Sequence, residues 1–166
     1  MSSLEQALEW RRNADLEIVN VDEATTKLVV VEISGQQFAF RGEHISEILG
    51  AVQVYFLPGA SAALEGVMSV RGDIESVLAT HVLLQLPPPK AGLSEGMVLM
   101  AHSATMRSGL RIDQVLDVLD LPNSLLQEAG ETLPHNLRAM VRTLVRLQDT
   151  PVAVLETEPL FAAYLQ

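Results

Sequence analysis

Two packed β modules are what this chain predicts, and three features predict them. Runs of β-branched and other apolar residues alternate with turns marked by Gly and Pro. The order of these runs in the first half is repeated in the second, across a proline-rich break at residues 87–96. Apolar residues make up 48% of the 166 residues but aromatic ones only 4%, so the core must be built from Val, Leu, Ile, Ala and Met. This is the composition of a folded chain, long enough for one sizeable domain or two small modules sharing a core.

Taken in order, residues 4–12 (LEQALEWRR) place Leu4, Ala7, Leu8 and Trp10 on one side of a short helical pattern, followed by polar sequence through Lys27. Residues 1–26 therefore read as an N-terminal extension, partly helical or disordered. LVVVEI, the turn residues SGQQ and FAF then predict a hairpin from Leu28 onward. GEHISEILGAV fits a helix through Ile45, Ile48 and Leu49, or a strand with Ile45, Glu47 and Leu49 alternating, and periodicity does not choose. After the breaker LPGAS, GVMSV and IESVLA form a second predicted hairpin, reversed at Arg71, Gly72 and Asp73, where glycine permits a tight turn. PPPKAGLSEG divides the chain, because three prolines cannot donate ladder hydrogen bonds. Beyond it MVLMAHSATMRSGLRIDQVLDVLDL repeats the layout of residues 28–50, and VLETEPLF at 154–161 parallels VLATHVLL at 77–84. The modules are thus about 27–86 and 97–166, each too small to stand alone, with the exchange of strands between them left open. TEPLFAAYL is expected to close the chain as a short helix, with Thr157 as its N-cap and Pro159 in its first turn.

Chemistry is sparse. The net charge of −10 repels nucleic-acid phosphates and anionic membrane surfaces, so nucleic acid is not an expected partner. With no cysteine there are no disulfides, thiolate ligands or cysteine nucleophiles. MSSLEQALEWRR lacks the features of a secretion signal, and no apolar run approaches the ~20 residues of a membrane span, so a cytoplasmic location without membrane insertion is expected. His44, His81, His102 and His135 are too scattered for a zinc motif; His44 and Glu47 read as a solvated pair, and His81 falls where a strand should end. Asp113, Asp117 and Asp120 carry the spacing of an exposed edge. No GxSxG, GxGxxG or phosphate-loop pattern occurs, and Ser34, Ser69 and Ser108 have no histidine near in sequence. No catalytic residue, cofactor or metal is expected, and the function should lie in the protein surface.

GVMSVRGDIESVL resembles a signature of the CheW family, with Gly66, Arg71 and Gly72 matching its glycine and Arg-Gly turn. LVVVEISGQQFAFRGEHISEIL is similar to the family's opening hairpin and apolar-x-Glu-Ile segment, LPGASAALEG fits its Pro-Gly approach, and Gly109, Asp113, Val115, Asp117 and Val118 match its second-half pattern. The likeness spans roughly 28–161. It implies two packed five-stranded SH3-like β barrels with short helices, and a non-catalytic adaptor that couples chemoreceptor cytoplasmic tips to the regulatory domain of a CheA-type histidine kinase. Carried over by position, Ile45, Glu47, Gly66 and Arg71 would contact receptors, an apolar ridge and a charged pair between them setting affinity and orientation; no residues are assigned to the kinase. The chain departs from the family at Ser69 and Val70, and at Ser76 to Thr80, where a proline and an acid are usual. Those departures raise an alternative, a divergent regulator or decoy that engages the kinase or array without receptors.

Overall fold

The computed structural model describes Ser3, Leu4, Gln6, Ala7 and residues 23–166. The four N-terminal residues are helical, while Leu8, Trp10 and the polar stretch before residue 23 lie outside the described residues. Among the described residues eleven strands form two sheets. In chain order they are β1 (Thr25–Ile33), β2 (Gln36–Arg41), β3 (Ile45–Leu49), β4 (Leu64–Val70), β5 (Asp73–Leu78), β6 (Met97–His102), β7 (Arg107–Ile112), β8 (Gln114–Pro122), β9 (Leu126–Glu128), β10 (Val141–Leu147) and β11 (Thr150–Leu155). Within residues 23–166 the α-helices are α1 (Thr80–Leu83), α2 (His135–Arg138) and α3 (Thr157–Leu165).

The hairpins form where the sequence supplies turn residues that tolerate positive φ. Ser34 and Gly35 (φ 51° and 78°) join β1 to β2, and Arg71 and Gly72 (φ 52° and 85°) join β4 to β5. Gln148 and Asp149 (φ 51° and 62°) make a third such turn without glycine, between β10 and β11. GEHISEILGAV resolves into a 3-10 turn at Gly42–His44 followed by the strand β3.

Neither sheet is drawn from one stretch of sequence. The six-stranded sheet has the order β8-β1-β2-β11-β10-β9, so the first hairpin joins the C-terminal strands, with β2 parallel to β11 through Ala39↔Val154. The five-stranded sheet has the order β3-β6-β7-β5-β4. This second sheet curls shut. After β3 the chain crosses to the free side of β4, where Tyr55 N donates to Val67 O (2.7 Å) and Val67 N to Tyr55 O (2.9 Å). The first sheet also curls, since Leu119 and Leu121 at its β8 end share a core with Val145 and Leu126 at its β10 and β9 end.

Three apolar cores result. Leu28, Val30, Val152 and Val154 fill the six-stranded barrel. Met68, Val77, Val98 and Met100 fill the five-stranded one. The largest core lies between the two, where Val31, Phe40, Leu99 and Leu110 meet Leu160 and Phe161 of α3. Strands such as β7 are buried on both faces for this reason. Thr157 is the first residue of α3 rather than its cap: Glu156 holds the cap position, and the Thr157 hydroxyl donates to the His102 carbonyl (3.0 Å), tying the helix to β6 instead.

Candidate functional site

The four residues expected to form a binding site fall on three elements of the five-stranded barrel. Arg71 sits at the tip of the β4–β5 turn in the left-handed region, which throws its side chain clear of the hairpin. From there it reaches back to β3, at the far end of the sheet order. Its Nη1 donates to Glu47 Oε2 (3.0 Å), and its Nη2 donates to Glu47 Oε1. The fork spans the point of closure, which the Tyr55–Val67 bridge makes, and Arg71 stays mostly exposed. The Glu47 carboxylate, by hydrogen bond and by charge, holds the guanidinium pKa above its ordinary value.

Ile45 is elsewhere. A bulge at Ser46 shifts the pairing from Ile45↔Ala101 to Glu47↔Met100, so two residues on β3 oppose one on β6 and the alternation breaks. Ile45 therefore packs on the inter-barrel core with Ala101, whereas Glu47 and Leu49 turn toward the inside of the five-stranded barrel. Ile48, paired with Leu99, shares the inter-barrel face and is 40% exposed.

Gly66 is buried on β4. A Cβ at this position would land on the Tyr55 carbonyl and 3.0 Å from Val54 Cγ1. Its bareness is what lets the Tyr55 segment approach and close the barrel. That segment carries exposed apolar residues of which the sequence reading took in only Leu57, as the start of the breaker LPGAS. Tyr55, Phe56 (75% exposed) and Leu57 flank the closure, and Ile74 on β5 is 71% exposed. Tyr55, Val67 and Ser76 lie in register across the strands, and Ile74 is two residues along from Ser76, so Tyr55 and Ile74 share one face. The available signal was an aromatic pair beside a Pro-Gly turn in a chain poor in aromatics.

Several of the other polar residues singled out in the sequence hold the fold together. Asp113 Oδ2 accepts from Gly35 N (2.9 Å) at the first hairpin, and Asp117 and Asp120 stand on β8, an edge of its sheet. Ser34 Oγ donates to Pro87 O (2.6 Å), pinning the proline-rich connection to that hairpin. Ser108 is buried against Ser76 (2.6 Å between hydroxyls). His44 pairs with Glu43 (3.7 Å) and stands edge-on to His102, while Glu47, its expected neighbour, belongs to Arg71. Glu158 accepts from Thr105 Oγ1 (2.8 Å) and Ala104 N (3.2 Å), fastening α3 to the β6–β7 turn, and the hydroxyls of Thr105 and then Ser103, with the Ala104 amide, hold its carboxyl below the usual range. Among the described residues no three His, Cys, Asp or Glu side chains are grouped to hold a metal ion, and no helix is long and apolar enough to cross a membrane.

His81, buried on α1, has its pKa lowered, burial outweighing the opposite pull of Glu65 and Asp113. The folded chain then binds this proton less readily than the unfolded chain does. Its contribution is intact above the ordinary value of 6.5 and is lost as pH falls through 6.5 toward the lowered value. Between about pH 7.5 and about pH 5, stability is expected to fall more steeply in the wild type than in His81→Gln, by at most about 1.4 kcal/mol per pH unit. Equal slopes in urea melts of the two would assign the acid sensitivity to other groups.

The order of strands, the closure at Tyr55 and the Arg71–Glu47 fork together describe a specific pair of barrels, and comparison with known proteins places it. Residues 27–164 match the CheW-like domain model. The chain belongs to the CheW-like domain family. It is 21% identical over 145 residues to the probable chemotaxis protein CheW of Rhizobium etli, an alignment covering 87% of this chain and 93% of that protein. Its fold is similar to that of the scaffolding protein TtCheW from Thermoanaerobacter tengcongensis, with a TM-score of 0.70 at 17% identity, covering 80% of this chain and 89% of that one. As a CheW-like chain it is an all-β pair of barrels, here with a three-residue sixth strand, β9, added to one of them.

Proposed function

We propose that this CheW-like chain is a non-catalytic scaffold of chemotaxis signalling, which couples the cytoplasmic tips of methyl-accepting chemoreceptors to the regulatory domain of a CheA-type kinase. Its relatives are named for chemotaxis and scaffolding. The observation that supports the reading here is the closed mouth of the five-stranded barrel, where the two-bond Arg71–Glu47 fork stands on the same barrel as the exposed Tyr55, Phe56 and Ile74. A preset charged fork gives orientation, and exposed aromatic and β-branched side chains give area, which is the division of labour at protein interfaces. On this reading Glu47 and Arg71 meet the receptor, Ile45 and Gly66 shape the surface from beneath, and residues 27–166 act as one unit in the cytoplasm, recruited to receptor arrays.

The test is titration of the protein against a receptor-tip fragment and, separately, against the kinase regulatory domain, with Arg71→Glu in parallel. Binding to both is expected, with receptor affinity lowered about tenfold or more in Arg71→Glu and kinase affinity retained. Because Arg71 is exposed, its reversal leaves thermal stability nearly unchanged. Binding to the kinase alone would favour the second reading, a regulator that joins the array without receptors; the unusual Ser69 and Val70 ahead of Arg71 are the feature in its favour. Binding to neither would reject both.

A further inference from the structure

Charge is sorted by depth at the mouth of the five-stranded barrel. β5 and β7 run parallel with Val77 level with Gly109, which puts Glu75 level with Arg107 at the start of β7. Arg107 Nη2 stands 3.2 Å from Glu75 Oε1. Glu75 lies opposite Met68 and Glu47 opposite Met100, and both methionines belong to the barrel core, so the two carboxylates point into the mouth. The two arginines lie outside them: the side chains of Arg71 and Arg107 are 72% and 55% exposed, against 24% for Glu47 and 17% for Glu75. The β4–β5 hairpin thus gives an arginine to β3 on one side and takes one from β7 on the other.

Stability does not account for the second pair. Arg111, on the same face of β7, is buried, bonded twice to Glu65 and once to Gly96, and serves the fold. An ion pair with a half-exposed arginine contributes little to folding, and an apolar pair beside Met68 would close the mouth as well. What the Glu75 carboxylate does provide is position, since it holds at the rim a guanidinium with five N–H donors. The chain as a whole carries a net charge of −10 and repels acidic partners, so two outward guanidinia at one mouth mark where such a partner can be received. We propose that Arg107 is a second receptor-orienting residue, which with Arg71 forms a positive rim that takes acidic side chains of the receptor tip. The inference rests on the receptor reading above and adds the chemistry of the partner to it. Two guanidinia on opposite flanks of one hairpin set the direction of a helical partner, which a single one leaves free to pivot.

The experiment titrates a receptor-tip fragment and, separately, the kinase regulatory domain against the full-length wild type, Arg107→Gln and the exchanged pair Glu75→Arg/Arg107→Glu. Glutamine removes the rim charge. The exchange keeps an ion pair, and with it the support of the hairpin, but turns a carboxylate outward. Arg107→Gln is expected to weaken receptor binding about fivefold or more and the exchanged pair to weaken it further, with kinase affinity and thermal melting close to wild type in both. Receptor affinity restored in the exchanged pair would show that the two residues only prop the hairpin, and would overturn the proposal. So would Arg107→Gln binding the receptor like wild type while Arg71→Glu is weakened, a result that leaves the receptor reading standing. A wild type that does not bind the receptor tip would bring down that reading itself, and this inference with it.

Discussion

Arg111→Met is expected to cost about 3–5 kcal/mol of folding stability, a large part of what a chain of this size has. The side chain is 3% exposed and lies inside the five-stranded barrel, where Nε and Nη2 donate to Glu65 Oε1 and Oε2 (2.8 and 2.7 Å) and Nη1 donates to Gly96 O (2.9 Å). Methionine fills much of the volume, so the cost measured is that of stranding the Glu65 carboxylate and the Gly96 carbonyl away from water. Thermal melting should fall by about 2–4 °C for each kcal/mol lost. The double variant Arg111→Met/Glu65→Leu removes both charges together and is expected to recover most of the loss, because a buried pair is worth little over an apolar pair of similar volume. Single and double variants with the same melting temperature, or a single variant costing under about 1 kcal/mol, would place this pair with surface ion pairs.

The same residue shows what the sequence can and cannot disclose. Arg111 stands between Leu110 and Ile112, and alternation sends it to the other face of β7, which reads as solvent in a half-buried strand. Here that face is a second core, as its register partner Val98 shows. The hairpins at Ser34-Gly35 and Arg71-Gly72 were legible because glycine marks a positive φ locally, whereas the Gln148-Asp149 turn leaves no such mark. Which sheet each strand joins was not legible: β2 finds β11 over more than a hundred residues, and no local pattern encodes that choice. At the site, the joining of Glu47 to Arg71 was reached only through family resemblance. The bulge that parts Ile45 from Glu47 was hidden, since an extra residue in a strand changes no composition and still reverses the face of everything before it.

Gly66→Ala is expected to destabilise the chain by about 2–4 kcal/mol, and it separates two roles that position alone cannot. The new methyl group would occupy the place of the Tyr55 carbonyl, a backbone group that cannot rotate aside. Relief requires opening the reciprocal Tyr55–Val67 bridge, so an overpacking cost of about 1–3 kcal/mol is joined by two hydrogen bonds of about 1 kcal/mol each, in part regained from water. With the bridge open, the Val67 amide should exchange its hydrogen faster, and the exposed Tyr55, Phe56 and Leu57 lose their anchorage beside β4. Receptor and kinase affinities measured on the folded fraction then report on the surface that Gly66 supports, in contrast to Arg71→Glu, where the fold stays and a direct contact goes. If alanine leaves the melting temperature and the Val67 exchange unchanged while receptor affinity drops, Gly66 is itself a contact surface and its place at the closure is incidental. If stability and exchange change together, Gly66 serves the site by making the barrel close, and the residues that meet a partner are those the closure holds in place.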